Sequence, residues 1–258
     1  MENANDSTKK SDGIVQECKK ILEMANERHI LLRAMGAVAF RLHCPTYAYF
    51  QDQAGRVLSD LDFASYHNEA KSIEKLFREL SYGCDLRVKA MFSDRLIFEN
   101  RQTGHHADVF FDKLDMCHTI NFRDQLVKDA QTIPLALLLL EKMQIVHLTE
   151  KDVLDTSMLL REHTVGDSDA DTINGTYVSQ LCAVDWGLWR TVTVNLQRTS
   201  ERVSEYPFFT PTDRQDVRSK IEQLVRVIEV APKSTGWKMR AKIGDSKKWY
   251  REIEDYAR

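Results

Sequence analysis

Several kinds of chemistry are poorly provided for in this 258-residue sequence. The five cysteines, Cys18, Cys44, Cys84, Cys117 and Cys182, are odd in number, widely scattered and without a CxxC pair. Neither a disulfide framework nor a thiolate zinc site is indicated, and reduced, mostly buried thiols are the simple reading. His43, His67, His105, His106 and His118 show no ligand spacing with one another or with cysteine. An excess of one charge is missing too, since 36 Lys and Arg stand against 39 Asp and Glu for a net charge of -3. The field of the whole chain therefore does not drive binding to nucleic acid or to an anionic membrane, and any recognition of an anion must be local. The longest apolar run, residues 133–140, falls far short of the ~20 residues that cross a bilayer. The polar start, MENANDSTKKSDG, lacks the apolar segment and cleavage site of a secretory signal, so a cytoplasmic location is expected.

What is present divides into two parts, as the length allows. Residues 1–12 read as a disordered leader. Behind the capping candidates Ser11 and Asp12, the residues Ile14, Cys18, Ile21, Leu22 and Ala25 recur at helical spacing. An apolar stretch at residues 29–35 meets Gly36. Residues 56–66 alternate Leu58, Leu61 and Phe63 with Ser59, Asp60 and Asp62 in the manner of a strand. A helix follows, with Asn68 as cap, Ile73, Leu76, Phe77 and Leu80 on one face, and Gly83 after it. Residues 86–92, 96–98 and 105–111 read as three further strands. Beyond about residue 125 the period becomes helical over 133–148, 150–163, 172–183, 185–199 and 213–230. Thr149 with Asp152 three residues on is a helix-start signature. Trp237, Met239, Ala241 and Ile243 alternate with Lys238, Arg240 and Lys242, which predicts a short strand with one cationic face. A last helix is predicted from Asp245, carrying Trp249, Ile253 and Tyr256. The fold class is thus α+β: a mixed sheet with flanking helices over 13–125, then a mainly helical region over 126–258.

The chemistry concentrates in carboxylates. Along a strand Asp60 and Asp62 point the same way, about 6 to 7 Å apart at their bases, and together can grip divalent cations. A DxD pair alone fits a solvated strand face as well. In the strand at 105–111, His106, Asp108 and Phe110 share one face while Ala107, Val109 and Phe111 share the other. Asp108 is then a charge inside an apolar strand, where a bound cation would relieve the cost of burial. Three carboxylates on neighbouring strands suit Mg2+ or Mn2+, the ions of phosphoryl and nucleotidyl transfer. Gly36, where a strand meets the residues that start a helix, offers N–H groups to a phosphate oxygen, although one glycine before a helix often only makes a turn.

This order of elements resembles the nucleotidyltransferase superfamily, and more closely its bacterial AbiEii toxin-like, minimal members. Residues 36–42 are similar to their glycine loop and 56–63, Arg-Val-Leu-Ser-Asp-Leu-Asp-Phe, to their DxDF segment. Residues 138–144 and 151–155 resemble their LLxxKLQ and KDxxD elements. The resemblance covers about residues 30–160. It implies a nucleotidyltransferase-like sheet and transfer of an NMP group from an NTP to a hydroxyl acceptor. It further implies Gly36, Ala37, Ser59 and Lys142 at the nucleotide, and Asp60, Asp62 and Asp108 as metal-holding catalytic carboxylates. The acceptor, whether RNA, a protein or a small molecule, and the oligomeric state are open, and no membrane partner is implied. The second loop glycine of that group is Ala37 here, and its methyl would crowd an approaching phosphate. A weak or inactive relative that binds nucleotide or a partner protein is therefore the second reading, and a glycosyltransferase whose DxD holds a sugar nucleotide is the third.

Other residues have two readings each. Lys142, flanked by Glu141 and Gln144, fits a snorkelling lysine as well as a phosphate contact. Asp152 is explained by the helix cap, while Asp155 one turn on can join it in orienting Lys142 or Arg161. Lys233, Lys238, Arg240, Lys242, Lys247 and Lys248 suit an acceptor's phosphates or a solvated edge. Trp186, Trp189, Val192 and Leu196 read as core.

Overall fold

A computed structural model describes residues 2–252, with side chains from Lys10 onward. The chain forms two units, one of Met1–Leu114 with Ile120–Pro134, the other of Asp115–Thr119 with Leu135–Arg258. The sequence reading sets its division at 125/126. The chain visits the second unit briefly and returns before it leaves for good at Pro134.

In the first unit, α1 (Glu2–Glu27), β1 (Leu32–Met35), α2 (Gly36–His43), α3 (Tyr49–Gln53), β2 (Asp60–Ser65), α4 (Ala70–Glu79), β3 (Tyr82–Cys84), α5 (Leu86–Met91), β4 (Arg95–Asn100) and β5 (His106–Phe111) follow in order. Five strands make one sheet in the order β1-β2-β5-β4-β3, parallel between β2 and β5 and antiparallel elsewhere. One face is apolar and sealed: Leu61, Phe63, Ala107, Val109, Phe111, Leu96 and Phe98 are all buried. Phe77 of α4 stacks on Phe98 at 4.3 Å between ring centroids and meets Phe63 edge-on at 5.9 Å. Each such side chain stabilises the fold by roughly 1.5–3 kcal/mol relative to exposure. The helix predicted around Ile73, Leu76 and Phe77 is therefore the lid of this sheet.

Two expectations fail here for local reasons. The residues read as a leader belong to α1, which begins at Glu2. Ser11, expected as a cap, lies inside the helix, where its buried hydroxyl accepts the Leu58 N–H at 3.2 Å. Residues 86–92, read as a strand, form α5, because the Asp85 carboxylate accepts the N–H groups of Arg87 and Val88 at 2.8 and 3.3 Å. That cap outweighs a period-two pattern whose apolar members Leu86 and Ala90 stay exposed.

The chain then forms β6 (Lys113–Asp115) and β7 (Thr119–Asn121), paired as a ribbon. The second unit holds α6 (Leu135–Met143), α7 (Glu150–Glu162), β8 (Thr164–Gly166), β9 (Thr172–Asn174), α8 (Gly175–Val184), α9 (Trp186–Arg202), α10 (Pro211–Val230) and α11 (Thr235–Ile243). Full capping boxes start α7, through Thr149 and Asp152, and α10, through Thr210 and Asp213. Trp186, Val192 and Leu196 are buried as expected, whereas Trp189 is half-buried and its indole N–H donates to Glu229 Oε1 at 2.9 Å. The cationic strand at 237–243 is instead α11, because Ser234 accepts the Trp237 N–H at 3.1 Å. Helical turns scatter its cations: the Arg240 guanidinium lies 4.4 Å from the centre of the Trp186 ring. In place of the last predicted helix there is a 3-10 turn at Gly244–Ser246, with Asp245 paired to Arg190 at 2.9 Å. Ile253 and Tyr256 lie outside the described residues.

Within this unit the buried His118 joins a short chain of hydrogen bonds. Its backbone N–H donates to Gln144 Oε1 at 2.9 Å, and its Nε2 meets Thr191 Oγ1 at 2.8 Å. The Trp249 indole N–H donates to the same Thr191 oxygen at 3.1 Å. A neutral ring with its proton on Nδ1 completes this chain, with the threonine hydroxyl donating to Nε2. Burial lowers the imidazole pKa below its ordinary 6.5, Asp185 opposes the shift and Arg251 adds to it. The stability this group confers is thus present above that pH and declines as the pH falls, because the unfolded chain takes up the proton first. Urea unfolding at about pH 7.5 and pH 5.5 is expected to show a larger loss on acidification in the wild-type protein than in His118→Gln. Equal losses would remove His118 from the account.

Candidate active site

The parallel register between β2 and β5 sets Asp62 level with Asp108 and Asp60 level with His106. Paired residues in neighbouring strands project to the same face, and so do residues two apart in one strand. Asp60, Asp62 and Asp108 therefore share the face opposite the sealed apolar one. Burial follows the same alternation: Leu61 and Phe63 are fully buried while Asp60 and Asp62 are half-buried.

Met35, at the end of β1, pairs with Asp62 across the antiparallel ladder, and α2 starts at the next residue without a side-chain cap from Met35. Gly36 has φ +65°, the left-handed region that favours glycine. A Cβ at this position would lie 2.2 Å from Asp62 Oδ2. The carboxylate thus occupies the space that the missing side chain leaves, close to the positive end of α2, where an anion gains about 0.3–1 kcal/mol. Gly36 is required twice over, by its backbone and by Asp62. Ala37 is half-buried in α2 and is not among the residues of positive φ, so a methyl there meets no conformational penalty. Asp62 also acts on α1: burial first, and this negative charge second, push the Cys18 thiol up to about 12. Cys18 is therefore a protonated, unreactive core group.

Asp108 is 5% exposed, and the cation beside it is an arginine. Arg95 Nη2 donates to Asp108 Oδ2 at 2.5 Å, and the Arg95 guanidinium carbon sits 5.0 Å from the centre of the Phe110 ring. The antiparallel ladder pairs Arg95 with Phe110 and Ile97 with Asp108, which makes Arg95 the diagonal neighbour of the aspartate on the same face. Sequence reasoning missed Arg95 because its partner depends on which strand lies beside β5. The only signal was one basic residue at the mouth of an apolar strand. Among the described residues, no group of three His, Cys, Asp or Glu side chains is drawn together as a ready-made metal site.

Ser59 is exposed, and its hydroxyl donates to Asp60 Oδ2 at 3.1 Å. Lys142 belongs to the second unit. Its ammonium lies 3.4 Å from Asp152 Oδ1 and 3.3 Å from Asp155 Oδ2. Asp152 Oδ2 meanwhile accepts the Thr149 N–H at 3.0 Å, so one carboxylate serves both the cap and the lysine. Arg161 pairs elsewhere, with Asp213 at 2.6 Å and Asp216 at 3.0 Å.

Two measurements test this geometry. Gly36→Ala and Gly55→Ala both force alanine into a left-handed conformation, at roughly 1–2 kcal/mol each, but Gly55, at φ +66°, has nothing within 4 Å of the added Cβ. Gly36→Ala is expected to lower stability clearly more than Gly55→Ala in denaturant titrations, and equal costs would refute the contact with Asp62. A double-mutant cycle of Asp108→Asn and Arg95→Gln is expected to give a coupling energy of about 0.5–3 kcal/mol. Strict additivity would mean that the ion pair contributes nothing.

No protein-family model matches the sequence, and no curated protein matches it. The chain is similar to a solved structure, the STING-associated CdnE c-di-GMP synthase from Capnocytophaga granulosa. The likeness covers 87% of this chain and 81% of that one, at 14% identity and a TM-score of 0.28, and carries no argument about fold or activity.

Proposed function

We propose that the first unit transfers a nucleotidyl group from an NTP to a hydroxyl acceptor. The observation that carries this reading is the register of β2 on β5, which puts three carboxylates on one face beside a helix that starts at a glycine. The donors are all carboxylate oxygens, which fit a hard divalent ion and not a soft one. Asp60 and Asp62 would hold Mg2+ or Mn2+, with Asp108 as the third carboxylate, and the ion would supply charge neutralisation at the triphosphate and a more acidic acceptor hydroxyl. The protein's own part is positioning. The sealed apolar face fixes β2 and β5, Gly36 gives Asp62 its place, and Ser59 orients Asp60 through its hydroxyl.

A second reading has one observation in its favour. Arg95 already satisfies Asp108, as befits a protein that binds nucleotide without turning it over. To separate the two, the purified protein is incubated with each α-labelled NTP, Mg2+ or Mn2+, and a cell extract. Label is expected to pass to RNA, a protein or a small molecule, and to be lost with Asp60→Ala and Asp62→Ala of unchanged melting temperature. A shift in melting temperature with ATP and Mg2+ but no labelled product selects the binding protein. Transfer that survives Asp62→Ala rejects the active site described above.

A further inference from the structure

The second unit carries a cluster of cations outside the carboxylate face. Arg214 and Arg218, one turn apart on α10, line an open cavity of about 560 Å3 together with Ser204, Gln215, Ser219 and Glu222. Their guanidinium groups are held by neutral acceptors alone. Arg214 Nη2 donates to the Tyr206 carbonyl at 3.0 Å, and Arg218 donates through Nε to the Ser200 carbonyl at 3.1 Å and through Nη2 to Ser204 Oγ at 2.5 Å. Among the described residues neither forms an ion pair, whereas Arg161, Arg190, Arg202 and Arg251 of the same unit each meet a carboxylate. Glu222 is spaced to pair with Arg218 along the helix, yet Arg218 turns to Ser204 instead. The buried Arg214 Nε has no hydrogen-bond partner. Two like charges one turn apart repel. Among the described residues, Glu222 is the one acidic side chain on the cavity wall and forms no ion pair with either arginine, so an anion that enters the cavity would relieve the repulsion between them.

We infer that this cavity is a binding site for a small phosphate ester. A phosphate presents several anionic oxygens to two planar, multi-donor guanidinium groups, which suit that geometry better than ammonium groups do. The hydroxyls of Ser204 and Ser219 supply further donors. Glu222, at the same wall, repels a second phosphate and accepts a hydrogen bond from a hydroxyl or amine on the organic part. The Glu222 carboxylate beside only two arginines favours a small molecule over a polyanionic strand. This inference uses the second unit alone and is independent of the transferase reading.

Isothermal titration of the full chain with inorganic phosphate, ribose 5-phosphate and ribose tests it. Ribose 5-phosphate is expected to bind, and ribose is not. Arg214→Gln with Arg218→Gln is expected to weaken binding on the order of tenfold or more, the loss that attends removal of charge-assisted hydrogen bonds. Arg198→Gln, an arginine of α9 that does not line the cavity, serves as the control and is expected to bind as the wild type does. Glu222→Gln is expected to narrow the advantage of ribose 5-phosphate over phosphate. Equal affinity for phosphate and ribose 5-phosphate overturns the ester and identifies free phosphate as the ligand. No binding by the wild type, or undiminished binding by the folded double variant, overturns the site.

Discussion

The candidate site depends on one alignment, the parallel pairing of β2 with β5 that holds Asp62 level with Asp108. Side chains alternate along a strand, so a slip of one residue would turn Asp60 and Asp62 inward and Leu61 and Phe63 outward. Burying those carboxylates against Phe77 and Phe98 would cost far more than the sheet could recover. The apolar face therefore selects the register, and the register determines where the carboxylates stand. Gly36 adds a second, local constraint. By lacking a side chain it lets the Asp62 carboxylate lie against the first turn of α2.

Burial of charge follows one rule in both units. Asp108 in the sheet and Asp155 in α7 are each almost or wholly removed from water, and each is met by a basic side chain, Arg95 or Lys142. An internal cation relieves the desolvation of a carboxylate as a bound ion would, and it is always present. The sequence argument that a charge at position 108 calls for a cation was physically sound. The cation comes from β4, two residues along the ladder from the residue opposite.

Sequence and structure agree where a signal is local. The alternation around Asp60, the apolar face of α4 and the capping box of α7 all act within a few residues, and each was legible. So was the cap of α10 in its effect, since the helical period at 213–230 continues only two residues further back, to Pro211. Strand neighbours, and hence the Arg95 partnership, depend on contacts across the sheet that periodicity does not carry. The two strands misread at 86–92 and 237–243 share one cause. Short stretches of alternating residues satisfy period two by chance, and a single capping side chain, Asp85 or Ser234, commits them to helix. The three-residue strands β6 to β9 are too short to leave a pattern.

The departure at position 37 gains a different weight once the backbone is known. A glycine in a phosphate-approaching loop can be required for its torsion angles or for the space beside it. Both requirements fall on Gly36, which has the positive φ and the carboxylate in contact, and Ala37 lies within the ordinary helical turn that follows. The alanine therefore weighs less against activity than its place in the motif suggests. The stronger constraint is the Arg95–Asp108 bond, because any group that recruits Asp108 must compete with a guanidinium 2.5 Å away in a setting with little water. Asp60 and Asp62, at the half-exposed end of the same face, face a smaller desolvation barrier to recruitment. Under the proposed function, burial would therefore set the order in which the three carboxylates engage a ligand: the DxD pair first, Asp108 last.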